Sequence, residues 1–172
     1  MTGAVVWITG LPASGKSTLA ARLRDRLPSP AVVLDGDDLR PILEATGYDA
    51  AARDAFYRRL ARLAAFLARQ GLVVLVPATA HRAEHRALAR ELAPRFVEVW
   101  VRTPLETARA RDPKGLYARA DRGEAPALPG VGVAYEPPEV AEVTATGGLD
   151  DAAIGQVLEF LLPAAPPFSA SP

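Results

Sequence analysis

Short apolar runs alternate along this chain with longer segments in which leucine, alanine and arginine recur at helical spacing. The apolar runs cover residues 4–9, 31–34, 72–76, 96–101 and 140–144. Runs this short, with little polar alternation, are typical of strands buried on both faces of a parallel sheet. The amphipathic segments predict helices at 16–27, 53–69, 81–92, 104–111 and 151–162. The alternation predicts an α/β fold, a five-stranded parallel sheet with helices on both faces.

Residues 112–138 interrupt this alternation with glycine, proline and a run of charges. We expect one short helix there, at 116–121, inside a mobile lid that covers about 112–138. The chain length of 172 residues suits one domain with a real core, which we place at 1–162. The remaining residues, 163–172, are rich in proline, alanine and serine, and we expect them to form a disordered tail.

The first apolar run leads directly into a glycine-rich loop with the spacing G-x-x-x-x-G-K-[ST]. Glycines at the two ends of this loop let backbone N–H groups close on phosphate oxygens, and the lysine adds a positive charge. The serine hydroxyl can ligate Mg²⁺, and the following helix turns its positive N-terminus toward the same site. The candidates for binding ATP are therefore Gly10, Leu11, Pro12, Ala13, Ser14, Gly15, Lys16, Ser17 and Thr18, with Ser17 as metal ligand.

Composition narrows the class of protein. The 20 basic residues balance 20 acidic ones, so no surface for nucleic acid is implied. The chain has no cysteine, which excludes disulfides, thiolate metal sites and cysteine nucleophiles. No stretch approaches the roughly 20 apolar residues that a membrane span needs, and no leader precedes the first strand. We expect a cytoplasmic protein without membrane contact.

An acidic cluster follows the second apolar run, at Asp35, Asp37 and Asp38. Ligands bind at the carboxyl ends of the strands in open α/β sheets, where these carboxylates and the loop emerge together. A carboxylate there can take the proton from an attacking hydroxyl or hold the water shell of a metal. We assign this chemical role to Asp35, with Asp37 as the next candidate, and expect Asp38 to cap the next helix.

A second group of candidates lies in the segment that starts at Arg111. It contains Lys114, which with Lys16 is one of only two lysines among the 20 basic residues. Cations on a mobile element can close over a nucleotide and stabilise the charge of its phosphates.

Taken together, these motifs resemble those of the adenylylsulfate (APS) kinase family, and the resemblance covers nearly the whole length of the chain. The similar stretches are GLPASGKST at 10–18, LDGDDLR at 34–40, GLVV at 71–74, TPLE at 103–106, RDPKGLY at 111–117 and YEPP at 135–138. The resemblance implies a P-loop NTPase fold and a homodimeric kinase. Such a kinase moves the γ-phosphate of ATP to the 3′-hydroxyl of adenylylsulfate and forms PAPS in sulfate assimilation.

The resemblance also implies roles for individual residues. Asp35 corresponds to the catalytic carboxylate, and Lys16 neutralises charge in the transition state. The implied contacts to the acceptor are Asp37, Arg40, Tyr48, Arg53, Lys114 and Tyr117. Among these, Arg40 and Arg53 would hold the phosphosulfate, and Tyr48 would stack on the acceptor adenine. Arg111 would stack on the adenine of ATP.

The chain departs from the family pattern mainly in the part of the site that binds the phosphoryl acceptor, which we call the acceptor half. Phe56 replaces an asparagine, Leu128 a second stacking aromatic residue, and Gly132 an aspartate. The run 77–81 is one residue shorter than in the family, and only Thr79 there supplies a hydroxyl. Two alternatives therefore stay open: a kinase with another nucleotide or small hydroxyl acceptor, and a nucleotide-binding module without transfer activity.

A histidine pair lies outside the family motifs. His81 and His85 are spaced four residues apart in a predicted helix, which is compatible with a metal pair. A solvated helix face or a contact to the substrate would explain the same spacing.

Overall fold

Five parallel strands form the central sheet of the computed structural model, which describes residues 3–162. The strands are β1 (Ala4–Thr9), β2 (Ala31–Val33), β3 (Val73–Pro77), β4 (Phe96–Val101) and β5 (Val143–Ala145). The helices are α1 (Lys16–Arg26), α2 (Gly36–Ile42), α3 (Ala50–Arg69), α4 (Ala83–Leu92), α5 (Leu105–Arg111), α6 (Leu116–Asp121) and α7 (Asp151–Leu161). The strand order is β2-β3-β1-β4-β5, which confirms the predicted parallel sheet.

The central strand β1 explains the two-layered core. All six of its residues are buried, and they alternate between the two faces of the sheet. Val6 and Ile8 pack into the cluster that includes residues of α1 and α7, whereas Trp7 packs into the cluster that includes residues of α3 and α4. Both faces of the sheet are therefore covered, and this is why β1 reads as an uninterrupted apolar run.

Among the elements predicted with bounds, three starts differ from the sequence-based expectation by two residues or more. Helix α3 begins three residues earlier, because the Asp49 side chain accepts a hydrogen bond from the Ala52 amide and caps it. Helix α4 begins at Ala83 instead of 81, since its N-cap residue Arg82 is extended. Strand β5 begins at Val143 instead of 140, and Val140 is 83% exposed.

The segment 112–138 is folded against the glycine-rich loop and contains α6 at the predicted residues. The Tyr117 hydroxyl donates to the Pro12 carbonyl at 2.9 Å, and Glu136 N–H donates to the His81 carbonyl at 2.8 Å. A Cβ on Gly130 would lie 2.6 Å from the Leu11 side chain, so the backbone approaches the loop closely. Lid motion stays a prediction, and the expected tail at 163–172 lies outside the described residues.

Within residues 3–162, every helix is too short or too polar to cross a membrane.

Candidate active site

A cleft of about 1710 Å³ opens at the carboxyl ends of the strands. Its walls are the glycine-rich loop, the start of α2, the N-terminal half of α3 and segments at 111–116, 124–129 and 146–150. A pocket for one small ligand has a volume of about 300–1,000 Å³. The cleft is therefore large enough for two nucleotides.

The glycine-rich loop has a backbone that only glycine fits at its two ends. Gly10 has a φ of 154° and Gly15 a φ of 104°. A Cβ would lie 2.7 Å from the Val101 carbonyl oxygen at Gly10, and 2.6 Å from the Gly148 nitrogen at Gly15. Both contacts are too short for real Cβ atoms, so the sequence requirement for glycine follows from packing.

The structure brings most of the loop candidates to the cleft. Those along its wall are Pro12, Ala13, Gly15, Lys16, Ser17 and Thr18. Ser14 is buried instead, and its carbonyl accepts a hydrogen bond from the Thr103 hydroxyl at 2.9 Å. Gly10 and Leu11 shape the loop from behind, and Leu11 borders a separate small cavity of about 260 Å³.

The Lys16 ammonium group turns back onto its own loop. It donates to the carbonyl oxygens of Gly10 at 3.0 Å and Leu11 at 2.7 Å. Burial lowers the pKa of Lys16 to about 8, although the nearby carboxylates of Asp37 and Asp35 oppose this shift. Within residues 3–162, the hydrogen bonds of this ammonium go to these two carbonyl oxygens, which phosphate oxygens can replace.

Asp35 is the N-cap of α2, so the expected capping role of Asp38 is wrong. One oxygen of Asp35 accepts the Asp37 amide at 3.0 Å. The other oxygen accepts the Ser17 hydroxyl at 2.6 Å. Asp35 and not Asp38 caps α2 because the backbone is still extended at Asp35, which turns its carboxylate toward the free amides of the first helical turn. This single residue therefore joins the glycine-rich loop to α2.

Arg40 lies between two aromatic rings, at the end of the cleft opposite the glycine-rich loop. Its Cζ atom is 4.3 Å from the ring centroid of Tyr48 and 4.3 Å from that of Phe56. Its Nη1 atom donates to the carbonyls of Ala45 and Gly47, each at 3.0 Å. Arg40 thus holds the loop between α2 and α3.

Arg53 provides a buried cation next to this group. Only 7% of the residue is exposed, and its Nη2 donates to the Ala127 carbonyl at 2.6 Å. Its Nε is buried and has no hydrogen-bond partner among residues 3–162. Burial lowers the pKa of Arg53 as well. A buried donor without a partner is costly, and an anionic ligand would satisfy it.

The segment at 111–117 reaches the cleft with two of its three candidates. Lys114 pairs with Asp37, which raises the pKa of Lys114. Arg111 lines the cleft, and a Cβ on Gly147 would lie 4.0 Å from its Nη1. Tyr117 does not reach the cleft: its ring is buried behind the glycine-rich loop, and burial raises its pKa to about 12. The expected contact of Tyr117 with the acceptor therefore stays a prediction.

The departures from the family pattern have structural explanations. Leu128 packs against Tyr117 and Ala108 and also lines the cleft. A Cβ on Gly132 would lie 1.7 Å from the Pro126 carbonyl oxygen, so an aspartate does not fit this backbone. Thr79 lines the cleft, as expected for a hydroxyl after β3.

The two histidines are buried, which makes the solvated-face interpretation wrong. His85 Nε2 lies 2.7 Å from an Asp54 carboxylate oxygen, and the His85 ring is tilted against Tyr57. Burial lowers the pKa of His81 to about 4.

The Asp54, Glu84 and His85 side chains cluster closely enough to hold a metal ion. The Arg82 guanidinium already pairs with both carboxylates of that group, at 3.3 Å and 2.9 Å. The paired cation disfavours a metal there.

Sequence reasoning missed the loop at 146–150. A Cβ on Gly148 would lie 2.7 Å from the Gly15 carbonyl oxygen, so the two loops touch through their glycines. Asp150 caps α7 through the Ala153 amide. The paired glycines before this aspartate were the available signal.

Comparison with known proteins shows where this arrangement recurs. A model of the adenylylsulphate kinase family matches residues 2–146. The adenylyl-sulfate kinase of Paraburkholderia xenovorans is 45% identical over 146 residues, which is 82% of this chain and 82% of the relative. The adenylyl-sulfate kinase of Myxococcus xanthus is 40% identical over 168 residues, 92% of this chain and 91% of the relative.

Solved structures agree with the sequence relatives. The structure of the Mycobacterium tuberculosis APS kinase CysC in complex with AMPPNP and APS has a TM-score of 0.85 and 40% identity. That match covers 93% of this chain and 98% of the other. A hexameric APS kinase from Thiobacillus denitrificans has a TM-score of 0.64 and 26% identity, and it covers 93% of this chain and 29% of the other.

Proposed function

The chain belongs to the adenylylsulfate kinase family, and from this premise we propose that it phosphorylates adenylylsulfate with ATP. The γ-phosphate moves from ATP to the 3′-hydroxyl of the acceptor, and the products are ADP and PAPS. One observation carries the proposal: a single cleft has a phosphate-binding loop at one end and a buried, incompletely paired arginine at the other.

ATP would occupy the end formed by the glycine-rich loop. The α1 N-terminus and the loop amides hold its phosphates, and Lys16 exchanges the Gly10 and Leu11 carbonyls for phosphate oxygens. This exchange places a positive charge where negative charge develops in the transition state. Arg111, beside the 146–150 loop, offers its guanidinium plane to the ATP adenine.

Adenylylsulfate would occupy the other end. Its phosphosulfate pairs with the cations Arg40 and Arg53, and the free Nε of Arg53 supplies a donor that is already desolvated. Its adenine stacks on the exposed face of Tyr48. Lys114 leaves Asp37 to pair with the bound anions.

Asp35 lies between these two ends. Its carboxylate accepts the proton of the attacking 3′-hydroxyl, or orients that hydroxyl by accepting its hydrogen bond. The hydrogen bonds from the Ser17 hydroxyl and the Asp37 amide fix the position of the carboxylate for either role.

The donor set suits Mg²⁺. Ser17 Oγ and an Asp35 oxygen are hard oxygen ligands 2.6 Å apart beside the loop, and Asp37 and Asp38 add negative charge to the cleft. Ser17 would bind the ion directly. When bound, Mg²⁺ neutralises charge on the phosphate oxygens.

The test is a product assay with purified protein, ATP and Mg²⁺, in which each acceptor of a panel is offered separately. With adenylylsulfate we expect ADP and PAPS in equal amounts, identified by mass spectrometry. Phe56 and Leu128 differ from the family pattern in the acceptor half, so a kinase for another nucleotide would form ADP only with that nucleotide. ATP binding without turnover on any acceptor would indicate a nucleotide-binding module.

We further propose that the protein is a homodimer, as the family resemblance implies. Size-exclusion chromatography with light scattering tests this, and a hexamer, as in the Thiobacillus relative, would contradict it.

A further inference from the structure

The acceptor end contains a stacked group whose innermost member belongs to the protein core. Phe56 is only 1% exposed and packs in the same apolar cluster as Trp7 and Leu60. Its ring also packs against the Tyr57 ring in a T-shaped arrangement, with the centroids 5.4 Å apart. Phe56 therefore has a fixed position that does not depend on ligand.

The next layer is the Arg40 guanidinium, 4.3 Å from the Phe56 ring. Aromatic rings attract a guanidinium that lies over their face, most strongly where water is excluded. Two hydrogen bonds from Nη1, to the carbonyls of Ala45 and Gly47, fix the rotation of the group within its plane. The core ring and the two carbonyls thus determine where Arg40 can lie.

The outer layer is Tyr48, which lies on the loop between α2 and α3 and is 56% exposed. Because so little of the protein covers this ring, the Arg40 contact at 4.3 Å is a main restraint on its orientation. The second nearby cation, Arg53, is farther away, at 5.9 Å from the ring centroid. An exposed ring held on one face leaves its other face available to a planar ligand.

We propose that Phe56 is a positioning residue for the acceptor: it orients Arg40 and, through Arg40, the Tyr48 ring on which the acceptor purine stacks. This inference rests on the proposed function and deepens it. Leu128, which lines the same cleft, offers an apolar side chain but no aromatic face to the acceptor. A preordered Tyr48 lowers the entropic cost of stacking, and so offsets the missing second ring.

The test compares Phe56→Leu with Phe96→Leu. Leucine keeps the apolar character and most of the volume at either position but removes the aromatic face. Phe96 packs on the same apolar cluster and carries Arg90 at 4.7 Å, yet it does not line the cleft. We expect F56L to raise the KM for adenylylsulfate about tenfold while the KM for ATP changes less than twofold. F96L should leave both values near those of the unchanged protein.

A double-mutant cycle separates positioning from mere core filling. Tyr48→Leu should raise the KM for adenylylsulfate, and adding F56L should then raise it by a smaller factor than F56L does alone, because the ring to be oriented is gone and only the position of Arg40 is still affected. Should F56L fail to fold, Phe56→Met makes the same test, because a flexible methionine fills a similar volume without an aromatic face, and it too should raise only the acceptor KM.

Three results would overturn the inference: equal effects of F56L and F96L, an equal rise in both KM values, or additive effects of F56L and Y48L. The unchanged protein is assayed first with adenylylsulfate. Absence of PAPS in that assay refutes the proposed function and this inference together, whereas normal turnover with an unaffected F56L refutes only the inference.

Discussion

The two ends of the cleft are built in different ways. At the ATP end, consecutive residues form the binding groups, and backbone amides and packed glycines such as Gly10 and Gly15 determine their geometry. At the acceptor end, the binding groups are side chains from α2, from α3 and from the loop between them, and the 124–129 segment closes the site. The second end therefore depends on packing between distant parts of the chain.

This difference predicts that substitutions at the two ends will change different kinetic constants. A change at the ATP end should affect the chemical step, because the groups that neutralise phosphate charge are there. A change at the acceptor end should mainly affect the KM of one substrate, since its groups bind and orient without touching the transferred phosphate.

The largest effect is expected for Lys16→Ala. Loss of the ammonium that neutralises the transferring phosphate should lower kcat by about 10³-fold or more. Lys114→Ala, which removes an exposed ammonium paired with Asp37 at the same cleft, should cost less. Steady-state kinetics of both variants measure the difference. A near-normal kcat of K16A would show that Lys16 does not neutralise the charge of the transferring phosphate.

Asp35→Asn should lower kcat by about 10²-fold, with ATP affinity largely intact. The variant keeps an oxygen for the Asp37 amide, and the Ser17 hydroxyl can rotate to accept from the new amide group. Kinetics together with an ATP titration measure both quantities. An unchanged rate in D35N, with a loss in Asp37→Asn, would move the base to Asp37.

Arg53→Lys should raise the KM for adenylylsulfate about tenfold and leave the KM for ATP nearly unchanged. Lysine keeps the charge but loses the planar donors, including the Nη2 that holds the Ala127 carbonyl. Arg62→Lys, on an exposed position of the same helix, is the matched control. If the KM for ATP rises as much as that for the acceptor, the two ends are not separate.

A smaller effect is expected from pH. Burial lowers the pKa of Lys16 to about 8, so the free protein loses this proton as pH rises through that value. Triphosphate binds the charged form, and the dissociation constant of ATP should therefore rise about fivefold from pH 8 to pH 9. Calorimetric titration of the unchanged protein and of K16A tests this, because K16A should not show that rise.

The sequence alone was sufficient where local rules decide the structure. The buried strand β1, the glycine-rich loop and helix α6 lie where spacing and glycine geometry placed them. It was insufficient where long-range packing decides. Tyr117 is drawn behind the loop by its hydrogen bond to Pro12, 105 residues away, and no local pattern reports such a contact.

The same contrast holds within the acidic cluster. Whether Asp35 or Asp38 caps α2 depends on the single residue at which the extended backbone turns, and composition does not specify that residue. From the sequence alone, Phe56 indicates only that the polar contact of the family asparagine is lost. Its contact with Arg40 depends on how α2 packs against α3, which the sequence pattern does not report.

The most direct measurement is a crystal structure of the protein with a nonhydrolysable ATP analogue, Mg²⁺ and adenylylsulfate. Our account predicts Lys16 on the phosphates instead of the Gly10 and Leu11 carbonyls, and the acceptor purine on Tyr48. It also predicts the 3′-hydroxyl within hydrogen-bond reach of Asp35, directly or through one water molecule. An acceptor bound away from Tyr48 and Arg53, or an Asp35 carboxylate directed away from that hydroxyl, would contradict it.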